Sequence, residues 1–456
     1  MSEADAAARP VGGTEYSWIR AVPGGTGITV LALLLSRPVC LPLLQSALRR
    51  LQASHPLLLA QLTTASAAHP SFSLTDPSSL SLLSLNASNL PLPPPDAESG
   101  ISPFHAILER ELNQNPWSDP SPDRLPLLFP TVYEMPDPAR TVVALRFHTA
   151  VCDRSAAAAL LKELLCIMSS AGTGGPGEGL NREIEELIPR QDAWKPFWAR
   201  GKDLLGYSLN GLRASTLRFE DAGSHVRRSE VARLVLGADA TEKLLTECKE
   251  RAIKLCGAIS AAAMLASHAS KKFENDQYET YSVVTLIDCR KYLDPVLHEH
   301  NIGFYHSAII NTHNIHSGEG LWEVAKRCHD SYSNAMNNKK HLKDIGELNF
   351  LMCRAIENPQ LTPSSSLRTA LISVFEEPVI HDSSKLQEEI GLDDYFGCAS
   401  VHGVGPSIAV FDTIRDGKLD CACVYPSPLH SRKQIQELLE DMVRILTQGT
   451  VNDESK

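Results

Sequence analysis

Two hydrophobic rhythms alternate along the chain. Short contiguous runs of apolar and β-branched residues predict strands at Ile28–Leu35, Leu127–Val132, Thr141–Phe147, Ser229–Leu236 and Tyr281–Ile287. Two more, Ser407–Ile414 and Lys418–Tyr425, are joined by Asp416-Gly417, a strong hairpin signal. Between the strands, apolar residues recur every three or four positions. This spacing predicts helices over Leu41–Gln52, Phe104–Leu112, Ser155–Met168, Trp194–Leu212, Thr241–Arg251, Ala258–His268 and Leu321–Met336. A last helix begins at a Ser431 cap and carries Ile435, Leu438, Leu439, Met442, Ile445 and Leu446 on one stripe. Proline removes a ladder donor, so Pro130 predicts an edge or interrupted strand. The alternation of the two rhythms predicts an α/β fold.

The punctuation divides the chain. Helix Leu41–Gln52 stops before His55-Pro56, because a residue preceding proline avoids the α region. His55 reads as a capping or packing residue. The Ser-, Pro- and Leu-rich stretch 63–100 predicts short strands and a surface loop. From Ser169 to Gly179 glycine and proline are dense enough for a flexible crossover. The expected organisation is one lobe over 1–170, a crossover over 171–225 and a second lobe over 226–456. Within the crossover, Trp194, Phe197 and Trp198 read as packing residues.

Composition narrows the class. At 456 residues, 43% hydrophobic and 21% charged, the chain is a folded protein of about two domains. A net charge of −11 argues against a nonspecific nucleic-acid binder. The eleven cysteines are scattered without a Cys-x-x-Cys pair, which indicates neither a disulfide framework nor a metal site. The longest mostly apolar run, Ile28–Leu35, is far short of a membrane span. A soluble cytoplasmic monomer, with no membrane and no nucleic-acid partner, is expected. Gly24-Gly25-Thr26-Gly27 precedes a strand rather than a helix, so it reads as a turn and not as a phosphate cradle.

Candidate chemistry gathers at one strand end. The buried run Val142–Phe147 leads into His148-Thr149-Ala150-Val151-Cys152-Asp153-Arg154-Ser155, and an Ala- and Leu-rich helix follows. In the sequence, Val142, Ala144, Arg146 and His148 share one face of the strand; Val143, Leu145, Phe147 and Thr149 share the other. An imidazole is suited to proton transfer near neutrality, whereas the Thr149 hydroxyl has no accessible basic form and could orient an acceptor or donate to an oxyanion. His148 is the candidate base. The alternative is a structural histidine satisfying a backbone carbonyl. Cys152 has no activating neighbour in sequence and reads as a packing residue.

This stretch resembles the histidine motif of the chloramphenicol acetyltransferase-like superfamily. That superfamily holds acyl-CoA-dependent acyltransferases, alcohol acetyltransferases and peptide-synthetase condensation domains. Its motif is His-His-x-x-x-Asp-Gly, with the second histidine as base. With Asp153 aligned, His148 matches the first histidine, Thr149 stands at the base position, and Arg154 replaces the glycine. Three further segments match in order: Asp288, Arg290, Leu293 and Pro295; Gly303-Phe304-Tyr305; and the C-terminal hairpin and helix. Asp394–Cys398 only echoes a signature of the BAHD branch, so the chain looks closer to the alcohol acetyltransferase and condensation branch. The resemblance implies two α/β lobes with mixed sheets, flanked by helices, and a tunnel between them. It implies that Asp153 is structural and pairs with Arg290. It also implies acyl-CoA as co-substrate rather than a bound cofactor, with small-molecule acyl donor and acceptor as partners. CoA would need positive charge, for which Lys271 and Lys272, or Lys339, Lys340 and Lys343, are candidates. Two functions follow: acyl transfer from an acyl-CoA-type thioester to a small alcohol or amine, or a catalytically inactive acyltransferase-fold protein retained for ligand binding or regulation.

Overall fold

The computed structural model describes residues 8–63, 70–74, 80–90, 101–119, 124–137, 140–169, 179–224, 226–271, 277–358 and 368–449. Most of the Gly-rich crossover, the proline run 93–95 and Lys272 lie outside them.

The chain forms two compact α/β units. The first comprises Met1–Leu187, Arg290–Tyr305 and Ser383–Ser400; the second comprises Ile188–Cys289, His306–Asp382 and Val401–Lys456. A linear division at 1–170, 171–225 and 226–456 does not describe this exchange. Two segments of the later sequence belong to the first unit, and residues 179–187 of the expected crossover do as well.

The first unit is built on a five-stranded mixed sheet in the order Leu392–Val401, Thr26–Leu35, Thr141–His148, Leu128–Glu134, Leu83–Asn86. Strand Thr141–His148 is flanked on both edges by antiparallel partners, and every one of its residues is buried. This is why its sequence is apolar on both parities. On one face Val143, Leu145 and Phe147 meet Leu44 and Leu48 of helix Leu41–Ser54 and Leu160 and Leu164 of helix Arg154–Met168. On the other face Arg146 can be buried because Glu111, on helix Pro103–Leu112, receives its Nη1 at 2.6 Å; Tyr133 Oη also hydrogen-bonds Glu111. Burial and the Glu111 charge push the Tyr133 phenol up. A second, four-stranded sheet runs Ala8–Pro10, Ser71–Leu74, Ala60–Thr63, Arg124–Pro126.

The second unit has a mixed sheet whose main path is His306–Ile315, Glu279–Asp288, Ile372–Phe375, Ile408–Arg415, Lys418–Ser427, Arg228–Leu236, with Val379–His381 beside Ile408–Arg415. Helices Ala238–Glu250, Leu255–Ser270, Leu321–Asn337 and Arg432–Gly449 bury their apolar stripes in its core. The hairpin turn places Asp416 and Gly417 at positive φ (47° and 74°), the geometry a tight turn between twisted strands requires. Ser431 Oγ accepts from Gln434 N–H at 3.1 Å at the start of the last helix.

Two local expectations need correction. Leu128–Glu134 is an internal strand, not an edge. Its outer neighbour begins opposite Thr131, so Pro130 lies beyond the paired stretch and its missing donor costs no ladder bond there. Trp194, Phe197 and Trp198 are not packed inside: they are 72%, 91% and 73% exposed. Among the described residues no single helix is long and apolar enough to cross a membrane.

Candidate functional site

The motif residues stand where the strand Thr141–His148 ends. Pairing continues through His148, whose N–H donates to Leu127 O at 3.0 Å. The chain then tightens into one 3₁₀ turn, Thr149–Val151, before helix Arg154–Met168. Gly27, at the start of the neighbouring strand, makes room for this turn. Its φ is +94°, and a Cβ there would come within 2.8 Å of the Trp18 ring and 3.3 Å of Thr149 Oγ1.

His148 lies on the same face as Arg146 and is 1% exposed. Its ring stands nearly perpendicular to Trp117, with centroids 5.2 Å apart. Nδ1 accepts from Ala150 N–H at 3.2 Å, so the imidazole caps the 3₁₀ turn. The structural reading of the sequence had a carbonyl as partner; the partner is an amide donor. This fixes the tautomer. Nδ1 must be the lone-pair nitrogen, and Nε2 carries the hydrogen. Nε2 is buried with no hydrogen-bond partner among the described residues. Burial also lowers the pKa to about 3, so the ring is neutral at pH 7. A neutral ring whose basic lone pair is held by a backbone amide cannot take an acceptor's proton without breaking the cap.

Thr149 turns to the opposite side. Its Oγ1 lies 2.6 Å from Thr29 Oγ1, and Thr29 Oγ1 donates to Cys152 O at 3.3 Å. Each hydroxyl has one proton, so the Thr149 hydroxyl donates to Thr29 and has none left for an oxyanion. Cys152 is fully buried, and its thiol is pushed well above the usual range by burial and by Asp153. It packs in the core and is not poised as a nucleophile.

Asp153 is the best-satisfied group of the motif. Oδ1 accepts from Ala156 N–H at 2.8 Å, which caps helix Arg154–Met168, and from Arg290 Nη2 at 3.1 Å. Oδ2 accepts from Tyr305 N–H at 2.8 Å and lies 3.0 Å from Arg290 Nη1. Asp153 N–H in turn donates to Gly303 O at 3.1 Å. One carboxylate thus caps the helix and pairs with Arg290 at once. Arg290 also donates to Asn301 O and stacks on the Tyr305 ring, 4.9 Å from its centroid. Phe304, between them, packs on Trp18.

The other candidates are dispersed. His55 pairs with Glu163 at 2.6 Å, away from the motif turn. Lys271 is taken by Glu279 at 2.9 Å and Lys339 by Asp192 at 2.8 Å; Lys340 sits within 4.0 Å of Asp203 and Asp344. Lys343 is half-buried on the same short helix. Thr29, Trp117 and Gly27 shape the site and were not singled out in sequence. Only Gly27 carried a signal, as the last glycine of a turn that opens a strand.

Fold and motif define a class: the chain has the two-lobed chloramphenicol acetyltransferase-like fold shared with condensation domains. Within that class, residues 215–358 match the family model of alcohol acetyltransferases. No curated protein sequence matches the chain. Among solved structures, the chain is similar to the TRI3 trichothecene 15-O-acetyltransferase from Fusarium sporotrichioides (12% identity, 97% of this chain and 95% of that one, TM-score 0.70). It is also similar to polyketide synthase associated protein 5 from Mycobacterium tuberculosis (15%, 97% and 98%, TM-score 0.66). A third is the first condensation domain of the calcium-dependent antibiotic synthetase (15%, 97% and 97%, TM-score 0.64). At these identities the likeness is one of fold.

Two measurements test the site. Replacing Asp153 by Asn or Arg290 by Met is expected to cost about 3–5 kcal/mol each, since either leaves a buried charge uncompensated. The double mutant should cost clearly less than the sum, by more than about 1 kcal/mol in urea unfolding; additive losses would show that the two groups do not act as a pair. The second test concerns pH. The folded His148 pKa of about 3 lies below the ordinary 6.5, so the unfolded chain binds the proton first. Its contribution to stability is complete above about pH 6.5 and is lost as pH falls from there toward 3, about 2 kcal/mol by pH 5. The fall of unfolding free energy between pH 6.5 and 5 should be shallower in His148→Gln than in wild type. Equal slopes would mean that His148 is not held neutral.

Proposed function

We propose that this chain is a catalytically inactive acyltransferase-fold protein retained for ligand binding, its ligand an acyl thioester of the CoA type together with a small alcohol or amine. One observation carries the reading: no group of the motif turn can receive a proton. The lone pair of His148 is engaged by the Ala150 amide. Thr149 stands at the position where the resemblance places the base, and a hydroxyl has no basic form near neutrality. The Thr149 proton is given to Thr29. The scaffold that would hold a base in place is meanwhile intact, through Asp153, Arg290 and Tyr305. A maintained scaffold without its proton acceptor fits binding better than transfer.

The match of residues 215–358 to the alcohol acetyltransferase family favours a second reading. In it the chain moves an acyl group from an acyl-CoA-type thioester to a small alcohol or amine, and catalysis rests on holding the two reactants together. The two readings separate in one experiment. Acetyl-CoA binding is measured by calorimetry, and thioester turnover is measured against a panel of alcohols and amines. The proposed reading expects binding with turnover at the uncatalysed rate. It also expects Thr149→His to gain turnover of about 10²–10⁴-fold, the usual worth of a positioned base. Wild-type turnover that survives His148→Ala supports the second reading. Wild-type turnover abolished by His148→Ala makes His148 the base and overturns the first. Absence of acetyl-CoA binding removes both.

A further inference from the structure

Thirteen large apolar side chains stand exposed among the described residues, and six of them gather on two helices of the second unit. Helix Phe197–Arg213 and the residues just before it contribute Trp194, Phe197, Trp198, Leu205 and Leu209; helix Ile345–Glu357, which packs on it, contributes Phe350. Positions 198, 205 and 209 follow a seven-and-four spacing, so Trp198, Leu205 and Leu209 form one outward stripe.

Two polar residues of the helix are tied inward: Tyr207 Oη donates to Asp344 Oδ2 at 2.5 Å, and Asp203 shares Lys195 Nζ with Asp344 at 2.5 and 2.6 Å, while Arg200 and Lys202 stay exposed. Lys339 locks Asp192 at 2.8 Å. Asp344 is therefore a buried acid whose bond to Tyr207 holds the helix with its apolar stripe to solvent. An apolar stripe held outward by buried ion pairs is a built surface, not a frayed end.

The charge around it selects the occupant. Segments 190–213 and 339–357 hold nine Lys and Arg against five Asp and Glu, a local balance of +4 in a chain of −11. The acids are mostly drawn inward: Asp192, Asp344 and Glu347 have side chains 8%, 2% and 6% exposed. The bases keep solvent-facing side chains even though each lies within 4.0 Å of a carboxylate: Arg200, Lys339, Lys340 and Arg354 are 54%, 46%, 41% and 60% exposed, and Lys202 is exposed as well. Exposed tryptophan and phenylalanine ringed by arginine and lysine is the chemistry of a helix lying at a membrane interface, with rings at the headgroup boundary and cations on anionic lipid.

We propose that the face formed by helices Phe197–Arg213 and Ile345–Glu357 docks this protein onto an anionic lipid surface. The short apolar runs that led to the expectation of no membrane partner exclude a span; a helix lying in the interface needs none. The docking is peripheral and screened by salt.

The test uses the full chain with vesicles of phosphatidylcholine alone and with one-third phosphatidylserine. Wild type is expected to co-sediment with the anionic vesicles at low salt, with a blue shift of tryptophan emission from Trp194 and Trp198. Both signals should fall with added salt or with phosphatidylcholine alone. Phe197→Ser/Trp198→Ser and, separately, Arg200→Glu/Lys202→Glu should each raise the half-saturating lipid concentration at least tenfold. All four side chains are exposed, so melting temperatures close to wild type should confirm that the variants fold. No co-sedimentation of wild type would overturn the proposal, as would unchanged binding by both variants. A wild-type dimer in sedimentation velocity that Phe197→Ser/Trp198→Ser converts to monomer would show that a second copy covers the face, and would equally overturn it.

Discussion

A carboxylate with almost no exposure governs the first unit. Burying an isolated Asp153 would be prohibitive, and the chain answers with four N–H groups from three separate places. Ala156 belongs to the helix that Asp153 caps. Arg290 and Tyr305 belong to a segment more than 130 residues later. Because the carboxylate holds both ends of Arg290–Tyr305, that segment packs with the first unit although its flanking strands, Glu279–Asp288 and His306–Ile315, belong to the second. The exchange of segments is thus anchored by a charge that needs partners, with the Ile302 side chain filling the apolar core beside it.

That anchor also sets what the motif turn can do. Helix Arg154–Met168 must begin at Asp153, and the strand must run to His148 to keep its bond to Leu127. Four residues remain between them, and they close in a single 3₁₀ turn whose first free amide is capped by the imidazole. In this geometry the histidine completes the turn. Its lone pair is spent locally, and its other nitrogen is buried without a partner among the described residues. Thr149 lies on the far side with its hydroxyl tied across the sheet to Thr29. One is held by a backbone amide and the other by a side-chain hydroxyl.

Local rules made some of this legible and not the rest. Strand parity separates His148 from Thr149 directly from the sequence, since alternation is a property of any strand. The Asp153 and Arg290 pairing followed from the family resemblance together with the cost of burying a charge. The Thr29–Thr149 contact was hidden because it depends on cross-strand register, which pairs Thr29 with Phe147 and places it under the turn. The segment exchange was hidden for a similar reason: linear composition carries no trace of which core a returning segment will join. Trp194, Phe197 and Trp198 misled in another way. Periodicity reveals that a helix has two faces but not which one turns inward. Here the bonds of Tyr207 and Lys195 to the buried Asp344 set which side turns inward.

Scaffold and chemistry are separable in this motif, and the structure shows why. Asp153 and Arg290 satisfy each other, the helix cap and the Tyr305 amide without touching His148 or requiring any proton to move. Removing either would leave a buried charge, so folding alone requires both. The base position carries no such obligation. Thr149 fits the turn, donates to Thr29, and leaves Gly27 and Trp18 in place. The long-range contacts that make the motif recognisable therefore do not depend on which residue stands at position 149. The presence of the aspartate and arginine speaks to fold, and a fold does not by itself carry a function.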